Sequence, residues 1–131
     1  MSEAGVPERD WIVREGDFEE ESGLRATEAL LRAEAKFTAI FTANDQMAFG
    51  AGLALLRRGL RIPGEVSIVG FDDQPSAAYA WPPLTTVRQP AVEMGMAAAT
   101  SLLNELRGGS FALPCFETQL VVRSSTAAPA H

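Results

Sequence analysis

Three polar clusters stand where apolar runs of the 131-residue sequence end: Asn44-Asp45 after 37–43, Asp72-Asp73 after 66–71, and Gln89 after 84–88. Amide and carboxylate side chains together offer donors and acceptors suited to ligand hydroxyl groups. In a parallel α/β sheet, ligands bind outside the carboxyl ends of the strands. Each residue also has a purely local use, since Asn44 or either aspartate can cap a helix. Three polar strand ends in one sheet point instead to a shared site for a polyol or similar polar molecule. Catalytic sets are missing. His131 is the only histidine and Cys115 the only cysteine, so one chain holds no His-based triad, multi-His metal site or disulfide. Adjacent Asp72 and Asp73 point in different directions and do not form a catalytic carboxylate pair. Neither a phosphate loop nor a G-x-S-x-G elbow occurs, and Gly50-Ala-Gly52 lacks the third glycine of a dinucleotide fingerprint. The reading is a binding protein rather than an enzyme, with no cofactor and no metal.

The elements that must carry these residues follow from periodicity. A short apolar run at 11–13 reads as a strand, and Leu24, Thr27, Leu31 and Ala35 mark a helix over 19–34. The aromatic and β-branched run 37–43 is a buried strand. Asn44 caps a helix over 45–58, which Gly59 ends and Pro63 cannot resume. A strand at 66–71, a short helix at 75–79 and a strand at 84–88 come next. Met94, Ala97, Ala98, Ser101, Leu102 and Leu106 trace a helix over 91–107, ended by Gly108-Gly109. A last strand at 116–122 precedes a polar tail, 124–131, expected to fray, as is the amino terminus, 1–9. Gly50 and Gly52 inside a helix, each costing roughly 1 kcal/mol against alanine, suggest a close helix contact. Alternating units with nearly continuous apolar strands give a parallel sheet with helices on both faces.

Composition limits the partners. The formal net charge is −6, and the eleven basic residues are dispersed, which disfavours nucleic acid or an anionic membrane as a partner of this chain alone. The acidic run 15–21 matches the positive end of the following helix dipole. No stretch approaches the ~20 apolar residues of a membrane span, and residues 1–10 carry acids without the apolar run of a secretory signal. A cytoplasmic location is expected.

Several motifs, in order and spacing, resemble the LacI/GalR family of bacterial transcription regulators. They are Thr38-Ala-Ile-Phe-Thr-Ala-Asn-Asp-Gln-Met-Ala-Phe-Gly50, Leu60-Arg-Ile-Pro-Gly-Glu-Val-Ser-Ile-Val-Gly-Phe-Asp-Asp73, and Pro82-Pro-Leu-Thr-Thr-Val-Arg-Gln-Pro90. Arg14-Glu-Gly-Asp-Phe18 and Leu120-Val-Val-Arg-Ser-Ser-Thr126 extend the match to about 10–126. The resemblance implies a type I periplasmic-binding-protein-like sensor with two lobes behind an amino-terminal helix-turn-helix. An effector, a sugar or nucleobase, would bind between the lobes and alter operator affinity through dimer geometry. Carried onto this sequence, its contacts are Phe18, Asn44, Asp72 and Gln89, with the Phe18 ring stacking on a sugar face. Relative to the family pattern, residues 10–90 correspond to part of the carboxyl-terminal lobe, while 91–123 supply a helix and a strand to the first lobe. The helix-turn-helix and most of the first lobe have no counterpart here, so DNA would be reached only through that missing domain. Uncovered apolar faces then imply a homodimer or higher oligomer, with the helix after Asn44 and residues 74–81 matching the family's dimer surface. Two alternatives stand beside this reading: a periplasmic sugar-binding protein fragment, and a truncated product without independent ligand binding.

Overall fold

The computed structural model describes residues 12–129. Its elements are α1 (Glu20–Arg32), β1 (Ala39–Phe41), α2 (Asp45–Arg57), β2 (Ser67–Asp72), a 3-10 helix (Pro75–Tyr79), β3 (Thr85–Arg88), α3 (Ala91–Leu106) and β4 (Gln119–Val121). The sheet runs β1-β2-β3-β4. The first three strands are parallel, with Ile40 opposite Ile68 and Val69 opposite Thr85. Parallel neighbours need a crossover, and α2 and the 3-10 segment supply the two. β4 closes the edge antiparallel to β3, pairing Leu120 with Val87. The sheet is therefore mixed but mostly parallel.

The core explains this order. Ala48 and Leu55 of α2 pack on Val66, Ile68 and Leu84, with Ala77 of the 3-10 helix closing the cluster. On the other face of β1, Ala39 and Phe41 are exposed. Asn44 caps α2, its side chain accepting from the Met47 amide. Past the helix end Gly59 takes a left-handed φ of +73°, and the Leu60 amide returns to the Leu55 carbonyl, a helix stop that glycine makes easy. α1 crosses α2 with backbones in contact. A Cβ at Gly50 would run into the Glu20 carbonyl, and one at Gly23 into the Met47 backbone. Gly50 thus serves the close helix contact expected of it, and the contact lies inside the chain.

Several expectations need correction. In the run 11–13, Trp11 lies outside the described residues, and Ile12 and Val13 are exposed without strand pairing. The expected strands at 37–43 and 116–122 contract to three residues each, because only those meet a neighbour in register. α3 needs no such correction, since uncovered apolar faces were expected of it: Ser101 is its one buried residue, and Val92, Met96, Leu102, Leu103 and Leu106 are all more than half exposed. The tail is docked where fraying was expected. Ser125 is 1% exposed, its hydroxyl donating to the Ile68 carbonyl at 2.6 Å and accepting from the Thr85 amide at 2.8 Å. Its carbonyl also accepts from the Ile68 amide, and the Ala127 amide reaches Ser67 Oγ. The cause is a register gap. β3 pairs with β2 only from Val69 onward, so the Ile68 backbone, which faces that side, lacks a strand partner, and buried amides demand one. The expected flexible amino terminus, 1–9, and the final residues, 130–131, lie outside the described range.

Candidate functional site

The four site residues expected from sequence form two hydrogen-bonded pairs, Asn44, Asp72 and Gln89 standing at carboxyl ends of the parallel strands and Phe18 just before α1. Phe18 and Asn44 make the first. The Asn44 Nδ2 donates to the Phe18 carbonyl at 2.8 Å, while its Oδ1 accepts from the Met47 amide at 2.9 Å. Asn44 is therefore both helix cap and brace, and nearly buried. These two bonds use one lone pair of Oδ1 and one Nδ2 hydrogen. Phe18 sits at φ +70°, a left-handed backbone that aromatic residues seldom adopt, with its ring 61% exposed just ahead of α1. The brace from Asn44 holds that conformation, which otherwise costs of order 1–3 kcal/mol.

Asp72 and Gln89 make the second pair, Gln89 Nε2 donating to Asp72 Oδ1 at 2.6 Å. In register, Asp72 ends β2 opposite Arg88 of β3, so Gln89 follows at the next step. Asp72 and Asp73 both have positive φ, +112° and +56°. The two carboxylates diverge, as adjacent residues at a strand end must. Asp73 turns inward, its side chain 6% exposed, and takes one charge-assisted bond from Arg88 Nε and another from Arg123 Nη2, each at 2.6 Å. Burial alone would raise its carboxyl, but the bonds and charges of Arg123 and Arg88 outweigh it and hold it below the ordinary carboxylate value.

Asp45, grouped with Asn44 at the end of the 37–43 run, is turned into the protein interior. It is fully buried, accepting from Thr86 Oγ1 at 2.6 Å and the Gln74 amide at 2.7 Å. Burial pushes its carboxyl up; the two bonds oppose the rise, and the nearby Asp72 and Asp73 charges reinforce it. Gly70 leaves the room this carboxylate occupies. The Arg88 and Arg123 clamp was not foreseen from sequence, because Arg123 lies 50 residues from Asp73 and nothing local marks the pairing. Among the described residues no three His, Cys, Asp or Glu side chains converge to hold a metal ion.

A second feature lies away from the polar strand ends. An apolar groove of about 740 Å³ runs between α2 and the 3-10 segment, lined among others by Phe49, Leu53, Leu56, Ile62, Tyr79 and Trp81. Tyr79 and Trp81 are 88% and 95% exposed. Exposed apolar patches of this kind mark interaction surfaces.

A mostly parallel sheet flanked by helices, with polar side chains at the carboxyl ends of its strands, is the architecture of a periplasmic-binding-protein-like domain. Comparison with known proteins agrees. The family of periplasmic binding protein-like domains matches residues 1–126, and the chain belongs to it. Its homologues are transcriptional regulators of the LacI/GalR family. The HTH-type transcriptional regulator AscG of Escherichia coli K12 is 37% identical over 132 residues, covering all of this chain and 39% of that protein. The AscG crystal structure superposes with a TM-score of 0.82 at 36% identity, over 97% of this chain and 46% of that one. A regulator solved as a CelR–cellobiose complex gives 0.88 at 36% identity, over 95% and 38%. A lac repressor dimer bound to operator and an anti-inducer gives 0.79 at 38% identity, over 88% and 41%. The chain spans about a third to two-fifths of the length of the curated relatives it matches. Among the described residues no helix is long and apolar enough to cross a membrane.

Proposed function

We propose that this chain is the effector-sensing and dimerisation part of a LacI-type transcriptional regulator, acting in the cytoplasm and not as an enzyme. Phe18, Asn44, Asp72 and Gln89 contact a polar small molecule, a sugar in preference to a nucleobase. One observation carries this reading: the Asp72–Gln89 carboxylate–amide pair ends two adjacent parallel strands, and Asn44, at the end of the next strand, is bonded to the backbone of the exposed Phe18. Sugars have an apolar face for the ring and vicinal hydroxyls for the pair. Operator control runs through a helix-turn-helix outside this chain. Residues 10–90 form part of one lobe and 91–123 serve the other, which accounts for the bare faces of α3. The α2 groove seats a second copy. The same bare faces favour a second reading, in which the chain alone offers one wall of a cleft and does not hold the ligand.

A thermal-shift panel of cellobiose, galactose, ribose and hypoxanthine tests the site. One compound should raise the melting temperature, and Phe18→Ala and Asp72→Ala should each abolish the rise. A rise retained in both variants refutes the placement, and no rise at all selects the second reading. Sedimentation should find at least a dimer that Leu56→Glu with Trp81→Glu dissociates; a folded wild-type monomer refutes the dimer. An open reading frame upstream of Met1 should encode a helix-turn-helix.

A further inference from the structure

We infer that Asp73 is a positioning residue for the effector site: clamped between Arg88 and Arg123, it fixes the left-handed turn that aims Asp72 at Gln89. The inference rests on the reading above only in treating Asp72 as a ligand contact. The turn does not hold itself. Two consecutive non-glycine residues at φ +112° and +56° occupy a region that L side chains avoid, so tertiary contacts must impose it. Asp72 makes a single side-chain bond, to Gln89, itself a neutral partner on a strand end. Asp73, by contrast, is nearly buried and receives both guanidinium groups, while its amide leans on Thr86 Oγ1 at 3.4 Å. Charge-assisted bonds in a sheltered setting are the strong members of this network.

The clamp also has reach. Arg88 is the last residue of β3, directly before Gln89, so one arm of the clamp fixes the strand end that presents the Asp72 partner. Arg123 follows β4 and is itself held by its Nη1 bond to the Leu84 carbonyl and its amide bond to Thr85 Oγ1. Through Asp73, the position of Asp72 is thus tied to the segment after β4. Movement of that segment relative to β3 would pull on Asp73 and re-aim Asp72, without any contact between Arg123 and the ligand.

The test needs no ligand. In the ¹⁵N-labelled 131-residue chain, the Gln89 side-chain amide reports its bond to Asp72, with exposed Gln119 as the internal reference. In the wild type, the Gln89 protons should resonate apart from those of Gln119 and exchange several-fold more slowly. Asp73→Asn should return both properties to the Gln119 range while the Leu55 and Ile68 backbone amides stay protected. Arg123→Lys, which keeps a cation beside Asp73, should preserve the wild-type signature. Should Asp73→Asn fail to fold, Arg88→Gln decides, since Arg88 is half exposed and its loss should speed Gln89 exchange several-fold. A folded Asp73→Asn or Arg88→Gln with an unchanged Gln89 signal overturns the inference. That outcome is separate from failure of the effector reading, which is judged by the ligand panel.

Discussion

Replacing Gly50 and Gly52 by alanine, one at a time, should move stability in opposite directions, although both lie in α2 two residues apart. Helix propensity treats them alike, favouring alanine by about 1 kcal/mol at either position. Their surroundings differ. At Gly52 the new methyl would meet only the ends of Ile62 and Ile68, each at 3.7 Å, which is ordinary contact. Most of the propensity gain should survive, a stabilisation of about 0.4–1 kcal/mol. At Gly50 the methyl would collide with the carbonyl of Glu20 and the amide of Leu24, both backbone atoms of α1. No side-chain rotation relieves that overlap, so the helices must separate. Overpacking costs typically 1–3 kcal/mol, and a backbone obstacle places Gly50 at or above the upper end. After subtracting the propensity gain, the net loss is about 2 kcal/mol, or a fall in melting temperature of roughly 8 °C for a domain of this size. Urea unfolding followed by circular dichroism at low protein concentration reads both values. If Gly50→Ala is as stable as the wild type, or both variants shift the same way, the close helix crossing is not what keeps glycine at position 50.

Ser125→Ala should destabilise by about 1–3 kcal/mol, because it leaves the buried Thr85 amide without its acceptor; a urea midpoint within error of the wild type would contradict the docked tail. Asn44→Ala removes the α2 cap and the Phe18 brace together and should cost about 1–2 kcal/mol, with faster hydrogen exchange at Met47. The pH dependence has two opposed parts. Asp73 is held low, so its stabilising contribution is present above the ordinary carboxylate value and is lost as pH falls through its depressed folded value; Asp73→Asn should flatten the acid limb of a stability–pH curve. Asp45 is held high, so its contribution is complete below the ordinary value and is lost as pH rises through its raised folded value. Asp45→Asn should therefore remove a decline on the other side of that value, and an unchanged slope there would refute the burial of its charge.

Much of this was legible in the sequence because local rules agreed. The cap at Asn44, the stop at Gly59 and the apolar runs at 66–71 and 84–88 each act within a few residues, and the structure places α2, β2 and β3 accordingly. The pairing of Phe18 with Asn44 and of Asp72 with Gln89 was legible only as a set of positions. The brace itself joins residues 26 apart and depends on a left-handed Phe18 that no propensity predicts. The reversal of β4, the shrinkage of β1 and the docked tail were hidden for a different reason. They depend on register between strands, and register is a property of pairs. Asp45 shows the hazard most plainly. A carboxylate at a strand end reads as a ligand group, yet Gly70 and Thr86, 25 and 41 residues away, turn it into a buried anchor.

The docked tail bears on how the chain is made. β2 sits in the interior of the sheet, yet the amide of Ile68 and, beside it, that of Thr85 find their acceptors 57 and 40 residues downstream, on Ser125. A ribosome delivers the strands well before it delivers those acceptors. During that interval the middle of the sheet carries an open seam, the sort of half-finished edge to which another nascent chain or a chaperone can attach. Synthesis of the stretch around Ser125 is then the step that seals the sheet, and premature release anywhere between Arg88 and Ser125 should yield an aggregation-prone product rather than a slightly shorter domain.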